Sequence, residues 1–312
     1  MLCQVLIWSD IIVNINIYIM KTTPIHPEWG SIVEFPTPMD FFKTNKQQWS
    51  NMLYDRKLIV FKKMNFSELD FAKFSHCFGT PWDGTAYNYS HERWSELIDP
   101  ADGKKYTITG FSNKIVKVIS PTEMPWHADI PNRRTNPFPH RALWMILNPN
   151  PDTSGQTRWL NIEHGIECLT PELNELLPRI TVLQQSWYQE GGDFQVHDFV
   201  KVHPVTGRKS LRLNFYVGYP GVKNSDNAWI KKVFIDGVEQ PDQSLIQQYI
   251  DHLLTVPELY YQHRWDDYDI AIYDNYPFIH GRTKLNLKLD QATDNDTVLE
   301  RKLLRTNIDH EI

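Results

Sequence analysis

The chain has 312 residues, of which 41% are hydrophobic and 22% are charged, and its formal net charge is −6 at neutral pH. This length can bury a large core, and the negative balance argues against nucleic acid as a partner. The three cysteines (Cys3, Cys77 and Cys168) are odd in number and scattered, which argues against a disulfide framework and indicates a reducing, cytoplasmic setting.

The first twenty residues are apolar enough to suggest a signal peptide or a membrane anchor. However, no Lys or Arg precedes the apolar run, and Asp10, Asn14 and Asn16 interrupt it. The alternation of polar and apolar side chains favours a strand, and an upstream extension of the reading frame is the alternative. We therefore expect residues 1–20 to be an N-terminal extension, residues 21–312 to form a single domain, and no membrane segment.

Further along the chain, strand signals outnumber helix signals. The apolar run Leu58–Phe61 is typical of a buried strand, and Ser67 with Asp70 three residues later is a capping box that predicts a helix start. The segment Thr170-Pro171-Glu172 predicts a second helix start, and apolar residues at helical spacing predict a third helix within residues 241–256.

Additional strands are predicted around residues 115–119, 143–147, 180–185, 211–217 and 269–274. Turn signals separate these short strands often, and no long polar linker divides the chain. This pattern favours a barrel or a sandwich over a wound parallel sheet.

The segment His127-Ala128-Asp129 is the first candidate for chemistry. Side chains two residues apart on an extended strand point to the same face, so one metal ion could bind both. A second histidine, His280, follows the apolar run Ile270–Tyr273. A histidine, a carboxylate and a distant histidine make the facial triad of non-heme Fe(II) oxygenases, although the tripeptide alone is also compatible with an ordinary core histidine.

Two further features fit a co-substrate that binds such an iron. Thr157 follows the turn Gly155-Gln156, and Arg301 and Arg305 lie four residues apart in a strand-like segment. The far carboxylate of a chelating 2-oxo acid must be held away from water. A guanidinium can bind this carboxylate through two hydrogen bonds, and a hydroxyl can add a third.

The chain resembles the taurine dioxygenase / TfdA-like family of Fe(II)- and 2-oxoglutarate-dependent oxygenases from about Thr23 to Ile308. The motifs that carry the resemblance occur in the family's order: Trp126-His127-Ala128-Asp129, Gly155-Gln156-Thr157, the segment 203–211 (HPVTGRKSL), Asp274-Asn275 with His280, and the arginine segment 300–305. Gln156 stands where the family usually has an acid.

The resemblance implies a mainly β fold with flanking helices, namely a double-stranded β-helix (jelly roll) of the clavaminate synthase-like type. It implies that His127, Asp129 and His280 bind Fe(II), that Thr157 and Arg301 hold 2-oxoglutarate, and that O2 is the second co-substrate. The substrate residues that it implies are Arg305, Asn113, Tyr87 and Tyr89. These side chains suit a small anionic or zwitterionic molecule, and relatives of this kind often form dimers or tetramers.

Asp129 also bears on the type of reaction, because halogenating relatives replace this carboxylate with a small residue. The resemblance therefore implies hydroxylation, desaturation or cleavage. The spacing from His280 to Arg301 is longer than is common in the family, so Arg305 or Arg282 could hold the co-substrate instead. The alternatives in function are a degenerate member that binds metal or ligand without turnover, and a cupin-type enzyme that uses another metal.

Two other conspicuous polar segments are interpreted as structural. His203 lies in a turn-forming segment with Pro204 and Gly207, so we expect hairpin packing and not metal ligation. Asp274 and Asn275 are expected to hydrogen-bond the backbone or to orient His280.

Overall fold

The computed structural model describes residues 20–81, 94–112, 123–128, 140–148, 152, 155–185, 194–213, 230–285 and 301–309. In these ranges the chain forms nineteen strands, four α-helices and several short 3-10 turns. The predicted mainly β architecture with flanking helices is therefore confirmed. None of the helices in these ranges has the length and apolar character needed to cross a membrane.

The helices are α1 (Lys46–Arg56), α2 (Glu68–Ser75), α3 (Pro171–Leu176) and α4 (Ser244–Leu254). The first strands are β1 (Lys21–Pro24), β2 (Ser31–Glu34), β3 (Leu58–Phe61), β4 (Thr80–Pro81), β5 (Trp94–Ile98), β6 (Lys105–Ser112), β7 (Met124–His127), β8 (His140–Leu147) and β9 (Thr157–Asn161). The remaining strands are β10 (Ile180–Gln185), β11 (Phe194–Asp198), β12 (Val200–Val202), β13 (Lys209–Leu211), β14 (Ile230–Ile235), β15 (Val238–Glu239), β16 (Tyr260–His263), β17 (Ile270–Tyr273), β18 (Phe278–Arg282) and β19 (Lys302–Asp309).

A large sheet and a smaller sheet form the framework. The large sheet has the strand order β1-β2-β3-β17-β8-β19-β6-β5, with β4 paired to the far end of β19. The smaller sheet has the order β16-β9-β18-β7. Apart from β1-β2-β3 and β5-β6, the neighbours in these two sheets are far apart in the chain, so neither sheet is a simple meander. Sheets β11-β10-β14-β15 and β12-β13 complete the described strands.

The side chains that alternate along each strand separate the core into layers. Between the two main sheets, the inner faces contribute Leu143 and Tyr273 from one side and Trp159 and Phe278 from the other. The outer face of the large sheet packs under α1 and α2 in an aromatic-rich cluster that includes Trp49, Phe61, Phe71, Phe74 and Trp144. The outer face of the smaller sheet packs against β10, β14 and α4.

Several local predictions from sequence are confirmed. The strand at 58–61 is fully buried, and α2 begins directly after Ser67, whose side chain accepts a hydrogen bond from the Asp70 amide at 3.1 Å. Helix α3 begins after Thr170 with a proline in its first turn, and α4 lies within the predicted interval.

The strand expected at 211–217 ends at Leu211 in β13, and the chain leaves the ladder at Arg212 and Leu213, beyond which the description stops until Ile230. The strands expected at 115–119 and near the N-terminus lie outside the described residues.

The capping box of α2 gives a test of the local structure. Because Ser67 and Asp70 satisfy each other's backbone amides, Ser67→Ala should lower the free energy of unfolding by about 1 kcal/mol. Ser67→Thr retains the hydroxyl and serves as the matched control. Urea unfolding followed by circular dichroism measures both, and equal stability of the alanine and threonine variants would contradict the assignment.

Candidate active site

Two histidines from distant parts of the chain meet on the inner face of the smaller sheet. Strands β7 and β18 pair antiparallel with His127 directly opposite His280. The two imidazole centroids lie 4.3 Å apart, and the rings are tilted by 47°. Both side chains are buried, with 8% and 7% of their surface exposed. One metal ion could therefore reach both rings.

Hydrogen bonds fix the orientation of each ring. The Nδ1 atom of His127 lies 2.8 Å from the carbonyl oxygen of Pro125, so Nδ1 carries the proton and donates to this oxygen. The lone pair is then on Nε2, which is the form required of a metal ligand. The Tyr273 hydroxyl lies 3.2 Å from Nε2 of His280, and its ring is tilted against that imidazole with 5.2 Å between centroids.

The expected carboxylate ligand, Asp129, lies outside the described residues. Strand β7 ends at His127, and Ala128 follows it as a buried residue outside the ladder. Within the described part of the chain, no group of three or more His, Cys, Asp or Glu side chains is placed to hold a metal. The two converging, buried imidazoles fit an Fe(II) site of which Asp129 would complete the facial triad.

Thr157 is the first residue of β9 and faces the same interior. It pairs with Arg282 on β18 and with His263 on β16. Its hydroxyl oxygen accepts a hydrogen bond of 2.9 Å from the indole nitrogen of Trp265. Since the indole can only donate, the Thr157 proton is available for donation to another acceptor, such as a carboxylate.

Arg301 lies immediately before β19 and is 4% exposed. Its Nη2 donates to the carbonyl oxygen of Gly155 at 2.9 Å. Burial, and to a smaller extent the charge of Arg282, lowers the pKa of Arg301 to about 9, so the guanidinium still carries its charge at neutral pH. A buried cation beside a second cation is a favourable site for an anion.

Gly155 connects Thr157 to Arg301. It has a positive φ of 65°, and a Cβ atom there would lie 3.0 Å from both Cζ and Nε of Arg301. Any other residue would therefore be strained and would displace the guanidinium. The turn preceding β9 thus brings the hydroxyl of Thr157 and the charge of Arg301 to the same part of the interior.

The remaining predicted site residues divide into two groups. Arg305 is half-buried on β19, where it pairs with Leu143 on the inner face. Asn113, Tyr87 and Tyr89 lie outside the described residues. Arg282, the alternative co-substrate residue, is 9% exposed, and its Nη1 donates to the Thr283 carbonyl at 3.2 Å.

A buried polar network supports the hairpin that carries His280. Asp274 follows β17, and its carboxylate accepts hydrogen bonds from Nε2 of His203 at 2.7 Å and from the Tyr276 amide at 2.9 Å. Nδ1 of His203 accepts the amides of Val205 and Thr206, which places the imidazole proton on Nε2. As expected, His203 has a structural role, and it ties the β12–β13 hairpin to the β17–β18 hairpin.

Sequence reasoning did not single out Tyr273 or Trp265, which contact His280 and Thr157. Tyr273 was only the last residue of an apolar strand, and Trp265 was one of 11 tryptophans. A tyrosine at the end of a strand, or a tryptophan shortly after one, is the weak signal that could have identified them, since buried Tyr and Trp need a polar partner.

Arg301→Met tests the anion site. The variant keeps the apolar stem of the side chain and removes its buried charge, and its melting temperature is measured first to show that it folds. The substitution should weaken 2-oxoglutarate binding to the Mn(II)-loaded protein about tenfold or more, because a charge-assisted bidentate contact is lost. Calorimetry measures the affinity, and Arg179→Met, at an exposed ion pair, is the control. Unchanged affinity in Arg301→Met would contradict the assignment.

The network around Asp274 gives a second test. Asp274→Asn puts an amide donor or a weaker acceptor against the Nε2 proton of His203, so the free energy of unfolding should fall by about 1–3 kcal/mol. Mn(II) affinity should fall with it, because the hairpin that presents His280 loses its anchor. The control is Asp236→Asn on the surface. Wild-type stability together with wild-type Mn(II) affinity would argue against this role.

Comparison with known proteins agrees with this geometry. The profile of the family described as "Taurine catabolism dioxygenase TauD, TfdA family" matches residues 21–306. The alkylsulfatase of Acinetobacter baylyi is 24% identical over 245 residues, which cover 72% of this chain and 67% of that protein.

Solved structures show the same fold. A taurine dioxygenase from Burkholderia xenovorans superposes with a TM-score of 0.63 at 20% identity, covering 94% of this chain and 92% of that one. AAD-2 in complex with Mn(II) and N-oxalylglycine superposes with a TM-score of 0.62 at 16% identity, covering 94% and 98%. The predicted jelly-roll fold is thereby confirmed. The chain belongs to the TauD/TfdA family of dioxygenases, which act with Fe(II), 2-oxoglutarate and O2.

Proposed function

We propose that this dioxygenase oxidises, most simply by hydroxylation, a C–H bond of a small anionic or zwitterionic molecule, with release of succinate and CO2. The observation that carries the proposal is the pairing of His127 with His280, whose rings meet 4.3 Å apart in a buried interior that Arg301 and Thr157 also face. Imidazoles and a charged anion site in one interior are what an iron-bound 2-oxo acid requires.

His127, Asp129 and His280 are the proposed Fe(II) ligands. Fe(II), when bound, supplies the oxygen chemistry that protein side chains cannot perform. The hydrogen bond from Nδ1 of His127 to the Pro125 carbonyl leaves Nε2 without a proton and fixes the orientation of the ring. Tyr273 holds the second imidazole from the neighbouring sheet, and the Asp274 network fixes the hairpin that presents it.

Thr157 and Arg301 are the proposed ligands of the distal carboxylate of 2-oxoglutarate. The guanidinium supplies charge and the hydroxyl supplies a proton whose direction Trp265 determines. This choice of arginine is supported by the contact between Arg301 and Gly155, two residues before Thr157. Arg282, close enough to lower the pKa of Arg301, adds positive charge to the same region.

Arg305, Asn113, Tyr87 and Tyr89 are the proposed substrate residues. Arg305 supports an anionic substrate because it is half-buried on the strand that Arg301 precedes and faces the same interior. The family relative that is an alkylsulfatase also supports a substrate with an anionic group. Asp129 supplies a carboxylate and so supports hydroxylation in preference to halogenation.

We further propose that residues 21–312 act as one domain in a reducing cytoplasm, as a dimer or a tetramer. Both cysteines in the described ranges, Cys77 and Cys168, are free thiols. Burial raises the pKa of Cys77 to about 11, which keeps this thiol protonated and unreactive at neutral pH.

Succinate release tests the proposal. Candidate anions and zwitterions are supplied with Fe(II), 2-oxoglutarate and ascorbate, and at least one should stimulate succinate formation by the wild type. His127→Ala and Asp129→Ala should abolish the stimulated formation, whereas His164→Ala, at a partly exposed histidine, should not.

Three results would count against the proposal. Full turnover by Asp129→Ala without added ligands would exclude Asp129 as a required ligand of the iron. Iron binding without stimulated oxygen consumption would indicate a degenerate member. Activity with another metal that survives Arg301→Leu would favour a cupin-type enzyme.

A further inference from the structure

One row of side chains crosses the inner face of the large sheet beside His280. Arg141 on β8 lies directly opposite Tyr273 on β17 and directly opposite Asn307 on β19. Tyr273 in turn places its hydroxyl 3.2 Å from Nε2 of His280. Residues opposite one another in an antiparallel ladder have Cβ atoms about 5 Å apart. Arg141 is therefore one side chain removed from a proposed iron ligand.

The faces of these strands are assigned by the core. Leu143 belongs to the inner cluster, whereas Ala142 and Trp144 belong to the outer cluster. Arg141, two residues before Leu143 in an unbroken register, consequently shares its inner face. On β19, Leu304 is in the outer cluster, so Arg305 and Asn307 are on the inner face.

Arg305 lies diagonally next to Arg141, because it pairs with Leu143 on the same strand. Two guanidiniums from neighbouring strands thus face the interior, and Arg141 is only 2% exposed. Asn307 is 7% exposed, and its side-chain oxygen accepts no hydrogen bond from any residue that the structure describes. A buried acceptor of this kind is costly unless a ligand donates to it.

We propose that Arg141 and Asn307 determine substrate specificity: Arg141 joins Arg305 in binding the oxyanion of the substrate, and Asn307 accepts a hydrogen bond from a neighbouring amino or hydroxyl group. This inference rests on the proposed function and deepens it. It names the substrate as an oxyanion with a hydrogen-bond donor a few atoms away, and it excludes a simple apolar acid. Two fork-shaped guanidiniums and one carbonyl oxygen match these two groups.

Direct binding tests this subsite without turnover. The protein is loaded with Mn(II) and N-oxalylglycine, a 2-oxoglutarate analogue, and loading is measured first by calorimetry. Two series are then titrated: ethanesulfonate with its 2-amino and 2-hydroxy derivatives, and propionate with its 3-amino and 3-hydroxy derivatives. Failure of the loading step would count against the proposed function, whereas the titrations address the subsite alone.

In the wild type, the amino or hydroxy derivative should bind about fivefold or more tightly than the unsubstituted anion. Arg141→Met should weaken every probe about tenfold or more, and Arg141→Lys should recover part of this loss because it retains the charge. Asn307→Leu should remove the preference for the derivatives while leaving the unsubstituted anions nearly unchanged. Arg179→Met is the control for loss of an arginine.

Three outcomes would overturn the inference. The first is that Arg141→Met or, if that variant does not fold, Arg141→Lys binds every probe within twofold of the wild type. The second is that Asn307→Leu keeps the preference for the derivatives. The third is that the loaded wild type binds none of the probes. A purely structural role of Arg141 would lower the melting temperature, while the folded variant would bind every probe as tightly as the wild type does.

Discussion

The pairing of β18 with β7 is the constraint on which the active site depends. It joins segments separated by about half of the chain and sets His280 opposite His127, so the distance between the imidazoles follows from ladder geometry and not from flexible side chains. The ladder is short and irregular beyond this pair, which makes the supporting contacts important. Tyr273 and Asp274 supply them from the end of β17, and His203 links them to a separate hairpin.

Positive charge inside a negatively charged protein is the second organising feature. The chain has a net charge of −6, yet Arg141, Arg282 and Arg301 are each at least nine-tenths buried. Three buried guanidiniums make this interior a region of positive charge in a chain of negative net charge, which is compatible with binding of an anion. Gly155 belongs to the same arrangement, because a Cβ atom at this position would lie only 3.0 Å from Cζ of Arg301.

Sequence reasoning found the elements with strong local signals: the buried strand at 58–61, the capping box at Ser67 and the helix start at Thr170. It also named His127 and His280, which the structure places opposite each other, whereas the role assigned to Arg301 stays a prediction. It placed His280 after a strand, whereas this residue is in the middle of β18. Pairing partners cannot be read from local periodicity, so the contacts of Tyr273 and Trp265 and the row containing Arg141 emerge only from sheet topology. These contacts depend on the long-range register of the strands, which residue types alone do not reveal.

The position of β19 has a consequence for how the molecule is made. This strand follows all the other described strands in the chain, yet it lies between β8 and β6 in the large sheet. During synthesis, β8 and β6 lack the partner that lies between them until β19 emerges. Only then do Arg305 and Asn307 join the interior. Such late, long-range closure is slow and exposes edges that aggregate. Chaperone dependence during production would follow from this order of strands, independently of how stable the finished protein is.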